Sequence, residues 1–71
     1  MEHVLDVRGL RCPIPLLRAR PALGDLAPGD VLTVLATDPE ARIDLAALAA
    51  DTGLAFAAEA DGDGWRLTLR R

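Results

Sequence analysis

Residues 31–40, "VLTVLATDPE", carry the strongest structural signal in the sequence. The part up to Thr37 is rich in β-branched side chains and apolar on both faces, which is typical of an interior strand. A helix start follows it, because Asp38 is a good N-cap, Pro39 suits the first helical position and Glu40 lies favourably in the first turn. This segment therefore predicts a buried strand that leads directly into an α-helix.

The sequence downstream of this segment predicts the rest of the helix and a β-hairpin. The inward face of the helix consists of Leu45, Leu48, Ala49 and Thr52. Gly53 then ends the helix as a C′ residue. Residues 54–60 and 64–70 follow as two strands, and "DGDG" at 61–64 is a hairpin signal between them.

The sequence upstream predicts one more strand and one more helix. Residues 4–7 form a short apolar run ended by Gly9, which indicates a buried strand. From Pro13 the apolar residues take helical spacing, with one face formed by Leu16, Ala19, Leu23 and Leu26. Pro21 lies inside this helix and is expected to kink or shorten it, at a cost of about 3 kcal/mol.

The predicted order is β-α-β-α-β-β, without a linker or an internal repeat, so residues 1–71 form one domain. The expected fold class is α+β: a two-layer sandwich with both helices on one face of a four-stranded mixed sheet. Strand–helix–strand crossovers make the joined strands parallel. The segments that follow the first two strands, which contain Cys12 and Asp38, therefore share the sheet edge where ligands and chemistry collect.

Composition restricts the possible functions. The net charge of −3 argues against a general nucleic-acid binder, so no direct nucleic-acid contact is expected. The single cysteine cannot form an internal disulfide or, with one histidine, a zinc site, and we expect neither a metal nor a cofactor. The N-terminal sequence lacks the pattern of a secretory signal, and no apolar run is long enough for a spanning helix. A cytoplasmic location is the expectation.

The cysteine lies in residues 11–15, "RCPIP", which repeat the layout of the "TDPE" helix start. Cys12 takes the capping position, and Pro13 and Pro15 fit the first turn, where a missing backbone N–H costs nothing. The free N–H groups, the helix dipole and the cations of Arg8 and Arg11 should favour the thiolate and lower the pKa of Cys12. We therefore expect a nucleophilic thiol; the alternative is an inert, buried cysteine.

The residues around this thiol limit its chemistry. A CxxC motif is missing, so the protein cannot resolve its own disulfide as a thioredoxin does. Cysteine–histidine catalysis needs a positioned histidine, and His3 lies near the start of the chain. A thiolate that accepts a group and hands it on, with partner proteins supplying the other catalytic groups, fits these limits.

Three stretches, "LDVRGLRCPIPLLRARPAL", "PGDVLTVLATDPEARIDL" and "TGLAF", resemble the TusA/SirA/YedF-like sulfur-carrier family. The most specific part is Gly-Leu-x-Cys-Pro-x-Pro at 9–15, just after the first strand. The resemblance implies that Cys12 carries a persulfide taken from a cysteine desulfurase or a rhodanese-type protein and passed to an acceptor sulfurtransferase. It also implies service in tRNA thiolation, molybdenum-cofactor chemistry or sulfur metabolism, with some relatives associated with sulfur-compound transporters.

Roles for the neighbouring residues follow from the same motif. Besides Cys12, the site-shaping residues are Gly9, Leu10, Pro13 and Pro15. Residues expected to act in electrostatics or docking are Arg8, Arg11, Ile14 and Asp38. No cofactor or metal is expected here, and a shuttle that exposes its thiol to successive partners is expected to be a monomer. The alternatives to a carrier are a non-catalytic interaction module and a redox-sensing thiol protein of the same fold.

Overall fold

The computed structural model of the protein describes residues 2–71 and has the predicted element order. Its strands are β1 (Glu2–Asp6), β2 (Val31–Ala36), β3 (Ala55–Asp61) and β4 (Gly64–Arg70), and its helices are α1 (Ile14–Gly24) and α2 (Pro39–Thr52). The predicted α+β class is confirmed.

The four strands form one mixed sheet in the order β1-β2-β4-β3. β1 runs parallel to β2, whereas β4 is antiparallel to β2 and β3. Val34 lies at the centre of the sheet, opposite Leu5 on one side and Leu67 on the other. β2 is therefore the interior strand that its composition predicts, and the parallel β1–β2 pair confirms the expected crossover.

Alternate residues of the two central strands form the floor of the core. Leu32, Val34 and Ala36 of β2, with Leu67 and Leu69 of β4, belong to the same buried cluster as the inward residues of both helices. The helical members of that cluster are Ala19, Leu23, Ala41, Leu45 and Ala49. Both helices thus cover one face of the sheet, and an aliphatic core joins the two layers.

β1 departs from its prediction as a buried strand. It forms the edge of the sheet, and its Val4 side chain is 64% exposed on the face that the helices leave uncovered. Its apolar residues suggested burial, but a run this short does not show which face of the strand the helices cover. Val7, just after the strand, is fully buried.

α2 begins and ends as predicted. The Asp38 carboxylate accepts a hydrogen bond from the backbone N–H of Glu40 (3.0 Å), and Gly53 ends the helix in the left-handed conformation, with φ 73°. Leu45 and Ala49 are buried, but Thr52 is exposed and its hydroxyl donates to the carbonyl of Leu48 (2.7 Å). The assignment of Thr52 to the inward face was wrong because the helix turns this last position toward solvent.

α1 differs from its prediction at both ends. The helix begins at Ile14 rather than at Pro13, and Leu26, expected on its face, lies beyond its last residue but remains in the core. Pro21 lies inside the helix and is exposed, and the helix continues past it to Gly24. Pro21 therefore does not end α1, although its ring removes one donor from the i→i−4 ladder.

We expect Pro21→Ala to stabilise the protein, because alanine restores the missing backbone donor in an exposed helix interior. The free energy of unfolding should rise by about 1–3 kcal/mol. Thermal denaturation measures this as a melting temperature several degrees higher. Pro39→Ala is the matched control: Pro39 occupies the first turn of α2, where a proline costs no hydrogen bond, so its replacement should leave stability nearly unchanged.

Candidate functional site

Two loops meet at one edge of the sheet, as the crossover topology predicts. The loop after β1 contains Cys12, and the short connection after β2 contains Asp38. The backbone N–H of Gly9 donates to the Thr37 hydroxyl (2.9 Å), and the backbone N–H of Cys12 donates to Asp38 Oδ2 (2.7 Å). Since the other oxygen of Asp38 caps α2, this carboxylate holds the cysteine loop against the start of the second helix.

Gly9 and Leu10 lie in the loop after β1, shortly before the cysteine. Gly9 has φ 81°, a left-handed conformation that favours glycine, and the N–H of Leu10 then donates to the carbonyl of Val7 (3.2 Å). An open cleft of about 300 Å³ lies between the two loops. Its lining residues are Gly9, Leu10, Arg11, Thr37, Asp38 and Pro39.

The structure corrects the expected capping role of Cys12. Pro13 is the N-cap residue of α1, without a side-chain cap, and it follows a cis Cys12–Pro13 peptide bond. The first free N–H of the helix, on Ile14, donates to the carbonyl of Arg11 (2.9 Å) and not to sulfur. Pro15 lies in the first turn, as predicted, with its side chain buried. The helix start therefore supplies no N–H donor to the thiol.

The partner of the thiol is acidic. Cys12 Sγ donates a hydrogen bond to Oδ2 of Asp44, a residue of α2, and both side chains are partly buried. This hydrogen bond, burial and the negative charges of Asp44, Glu40 and Asp38 raise the pKa of Cys12 to about 11. The expectation of a lowered thiol pKa was wrong, because the cysteine faces the acidic first turns of α2. At neutral pH only about one thiol in ten thousand is a thiolate.

The two arginines expected to stabilise a sulfur anion act elsewhere. Arg8 forms a two-pronged ion pair with Asp6 at the end of β1 (2.9 and 2.7 Å), which lowers the pKa of the Asp6 carboxyl to about 2. The pKa of Asp38 is also lowered, first by the N–H groups of Cys12 and Glu40 and then by the charge of Arg11. The cations thus neutralise carboxylates beside the site and do not offset the acidic groups around the thiol.

Apolar side chains are exposed on α1, which follows the cysteine loop, and on α2, which carries Asp44. Ile14 is 41% exposed, Leu17 56% and Ile43 62%, whereas Leu10 is half-buried. Sequence reasoning singled out Ile14 and Leu10 but missed the other two. The i, i+3 spacing of Ile14 and Leu17 places both on one side of α1, and this spacing is the signal that could have identified Leu17.

Asp44 and its neighbour Glu40 are the site residues that sequence reasoning missed. They stand at i and i+4 on α2, so both face the same way, just after the capping Asp38. The ligand atoms of Cys12, Glu40 and Asp44 all lie within 4.8 Å of one another. We assign no metal to this group, because the thiol–carboxylate hydrogen bond already explains the closest contact.

His3 lies apart from this site. It is at the opposite end of β1 from the cysteine loop, where its Nε2 is 3.4 Å from Oδ2 of Asp30. The histidine therefore supplies no base or acid to Cys12, in agreement with the sequence analysis.

We expect Cys12 to titrate near pH 11, in a window where no other side chain interferes because the sequence contains neither lysine nor tyrosine. Thiolate absorbance at 240 nm follows the ionisation. Since the folded-state pKa lies above the ordinary thiol value, the stabilisation it brings is complete below about pH 9 and is lost as the pH rises toward 11. A thiolate already formed at pH 7 would contradict the raised pKa. Cys12→Ser should lack both the change in absorbance at 240 nm and the loss of stability near pH 11.

We expect Asp38→Ala to destabilise the protein, because it removes both the cap of α2 and the acceptor for the Cys12 N–H. The melting temperature should fall by roughly 5 °C or more. Asp38→Ser keeps a capping oxygen, but the serine side chain is too short to accept from both N–H groups. Its melting temperature should therefore lie between those of the wild type and the alanine variant. Equal stability of the alanine variant and the wild type would show that the bridge between the loops is unimportant.

The chain matches a known family over nearly its whole length. The family model described as Sulfurtransferase TusA covers residues 3–71. In the crystal structure of a SirA-like protein from Desulfitobacterium hafniense, the fold is the same: the TM-score is 0.86 at 32% identity, over 97% of this chain and 95% of that one.

Curated relatives carry matching descriptions. A candidate sulfur carrier protein of Neisseria meningitidis serogroup A is 55% identical over 63 residues, which are 86% of this chain and 85% of the relative. The sulfur carrier protein TusA of Allochromatium vinosum is 49% identical over 52 residues, 73% of this chain and 68% of the relative. On the family match, the sequence identity and the shared fold, this chain belongs to the TusA sulfurtransferase family.

Proposed function

We propose that this protein accepts sulfur as a persulfide on Cys12 and relays it to an acceptor protein. The observation that carries the proposal is the placement of the only thiol in a TusA-family chain. Cys12 is partly accessible on the loop between β1 and α1, inside the Gly-Leu-x-Cys-Pro-x-Pro motif. A single accessible thiol can hold one sulfur atom and release it to the next thiol.

The transfer depends on partner proteins, because one cysteine has no resolving thiol beside it. A cysteine desulfurase or a rhodanese-type protein is the proposed donor, and a second sulfurtransferase the proposed acceptor. The relay would serve tRNA thiolation, molybdenum-cofactor chemistry or sulfur metabolism, and the protein could associate with a sulfur-compound transporter. We propose no direct contact between this protein and nucleic acid.

The surface around the thiol supports docking of such partners. Ile14 and Leu17 of α1 and Ile43 of α2 offer exposed apolar area on the two helices. Arg11 lines the open cleft between the two loops. We propose that donor and acceptor use this same surface in turn, which a monomer leaves open to both.

Cytoplasm is the proposed location, since a reducing compartment keeps a carrier thiol free between transfers. Within residues 2–71, neither helix has the length and apolar character that a membrane span requires.

The raised pKa of Cys12 argues against the alternative of a redox sensor. Peroxide reacts with thiolates, and sensor cysteines accordingly have lowered pKa values. A thiol that stays protonated at neutral pH resists oxidation between transfers.

The test of the proposal is intact mass after incubation with a cysteine desulfurase and free cysteine. We expect a gain of about 32 mass units, one sulfur atom, in the wild type and none in Cys12→Ser. Thiosulfate with a rhodanese is the second donor system. Loading of the serine variant, or failure of every donor to load the wild type, would overturn the carrier function; in the second case, retained partner binding would favour an interaction module.

A further inference from the structure

We infer that Asp44 is a catalytic residue of this site, the group that takes the proton from Cys12 as its sulfur attacks the incoming sulfur. The inference deepens the proposed function and rests on it for the identity of the reaction. The observation behind it is the direct hydrogen bond from Cys12 Sγ to Oδ2 of Asp44.

The geometry selects Asp44 from the three carboxylates near the thiol. Asp38 already accepts two backbone hydrogen bonds, from Cys12 and Glu40. Glu40 is exposed and influences Cys12 through its charge. Asp44 alone among them contacts the sulfur, and a general base must stand within hydrogen-bond reach of the proton that it removes.

The chemistry requires such a group because the resting thiol is protonated. An S–S bond is attacked by sulfur that has lost its proton, and the charges of Asp38, Glu40 and Asp44 oppose formation of a free thiolate. Arg11 acts on Asp38 and does not offset these charges at the sulfur. Transfer of the proton to Asp44 during the attack avoids a thiolate beside a carboxylate.

The complete step conserves atoms and electrons. Cys12 Sγ attacks the terminal sulfur of a donor persulfide, R–S–SH, while its proton passes to Asp44. The new S–S bond forms as the S–S bond of the donor breaks, and R–S⁻ leaves. The protonated Asp44 then returns the proton to R–S⁻, so that the products are Cys12–S–SH and R–SH, without net oxidation or reduction.

Asp44 is also placed to exchange its proton. It lines a groove of about 150 Å³ between the two helices, together with Leu16, Arg20, Ala47, Leu48 and Asp51. The groove is open, so the carboxyl group of Asp44 can exchange its proton with solvent.

The test is the rate of thiol–disulfide exchange between Cys12 and bis(2-hydroxyethyl) disulfide, which has no ionisable group between pH 6 and 9. The probe undergoes the same displacement at sulfur and needs no protein donor, so its outcome is independent of whether the protein carries sulfur in the cell. Mass spectrometry of the quenched mixture gives the rate. For the wild type we expect nearly the same rate from pH 6 to 9, since proton transfer to Asp44 replaces prior ionisation of the thiol.

For Asp44→Asn we expect the rate at pH 7 to fall by about 100-fold, the lower end of what a general base contributes. Its rate should then rise tenfold with each pH unit, because attack must wait for the free thiolate. A general base and a carboxylate that only suppresses ionisation of the thiol predict opposite changes in rate. In the second case, removal of the carboxylate would lower the thiol pKa and make the variant faster than the wild type. Absorbance at 240 nm measures that pKa in both proteins.

Glu59→Gln is the matched control. It removes a negative charge from β3, at the opposite edge of the sheet from β1 and the cysteine loop, so its rate and its flat pH profile should match the wild type. The inference is overturned if Asp44→Asn exchanges as fast as the wild type or faster. It is equally overturned if the wild-type rate itself rises tenfold per pH unit.

Discussion

The carboxylate of Asp38 is the constraint on which the site depends. One of its oxygens caps α2 through the N–H of Glu40, and the other accepts the N–H of Cys12. A residue that begins one helix therefore also positions the loop that leads into the other. The parallel pairing of β1 and β2 makes this possible, because it brings the two strand ends to one edge of the sheet. The hydrogen bond from Gly9 to Thr37 provides a second link between the same loops.

The position set by Asp38 places the thiol beside acidic groups, and this decides its resting state. Cys12 donates a hydrogen bond to Asp44 and lies near the negative charge of Glu40, so its pKa rises to about 11. A thiol in this state has a small thiolate population at neutral pH and therefore resists oxidation. Family membership supports a sulfur-carrier role. A protonated resting thiol is compatible with that role if a neighbouring carboxylate or a partner removes the proton during transfer.

Local patterns predicted the elements well where the relevant forces are local. The cap at Asp38, the left-handed Gly53 and the hairpin turn before Gly64 each depend on a few neighbouring residues. Two of the wrong predictions required knowledge of distant contacts. The exposure of Val4 depends on which face of β1 the helices cover, and the raised pKa of Cys12 depends on Asp44 in α2.

The sequence by itself determined the β-α-β-α-β-β order, the interior strand β2 and the shared edge of Cys12 and Asp38, because periodicity, caps and crossover handedness are properties of short segments. It also identified the single thiol as the reactive candidate. Only the tertiary structure decided which charges surround that thiol. Arg8 and Arg11 are near Cys12 along the chain but act on Asp6 and Asp38, whereas Asp44 is distant along the chain and contacts the sulfur. Electrostatic interactions depend on distance in space, and that distance is set by the packing of α2 against the cysteine loop.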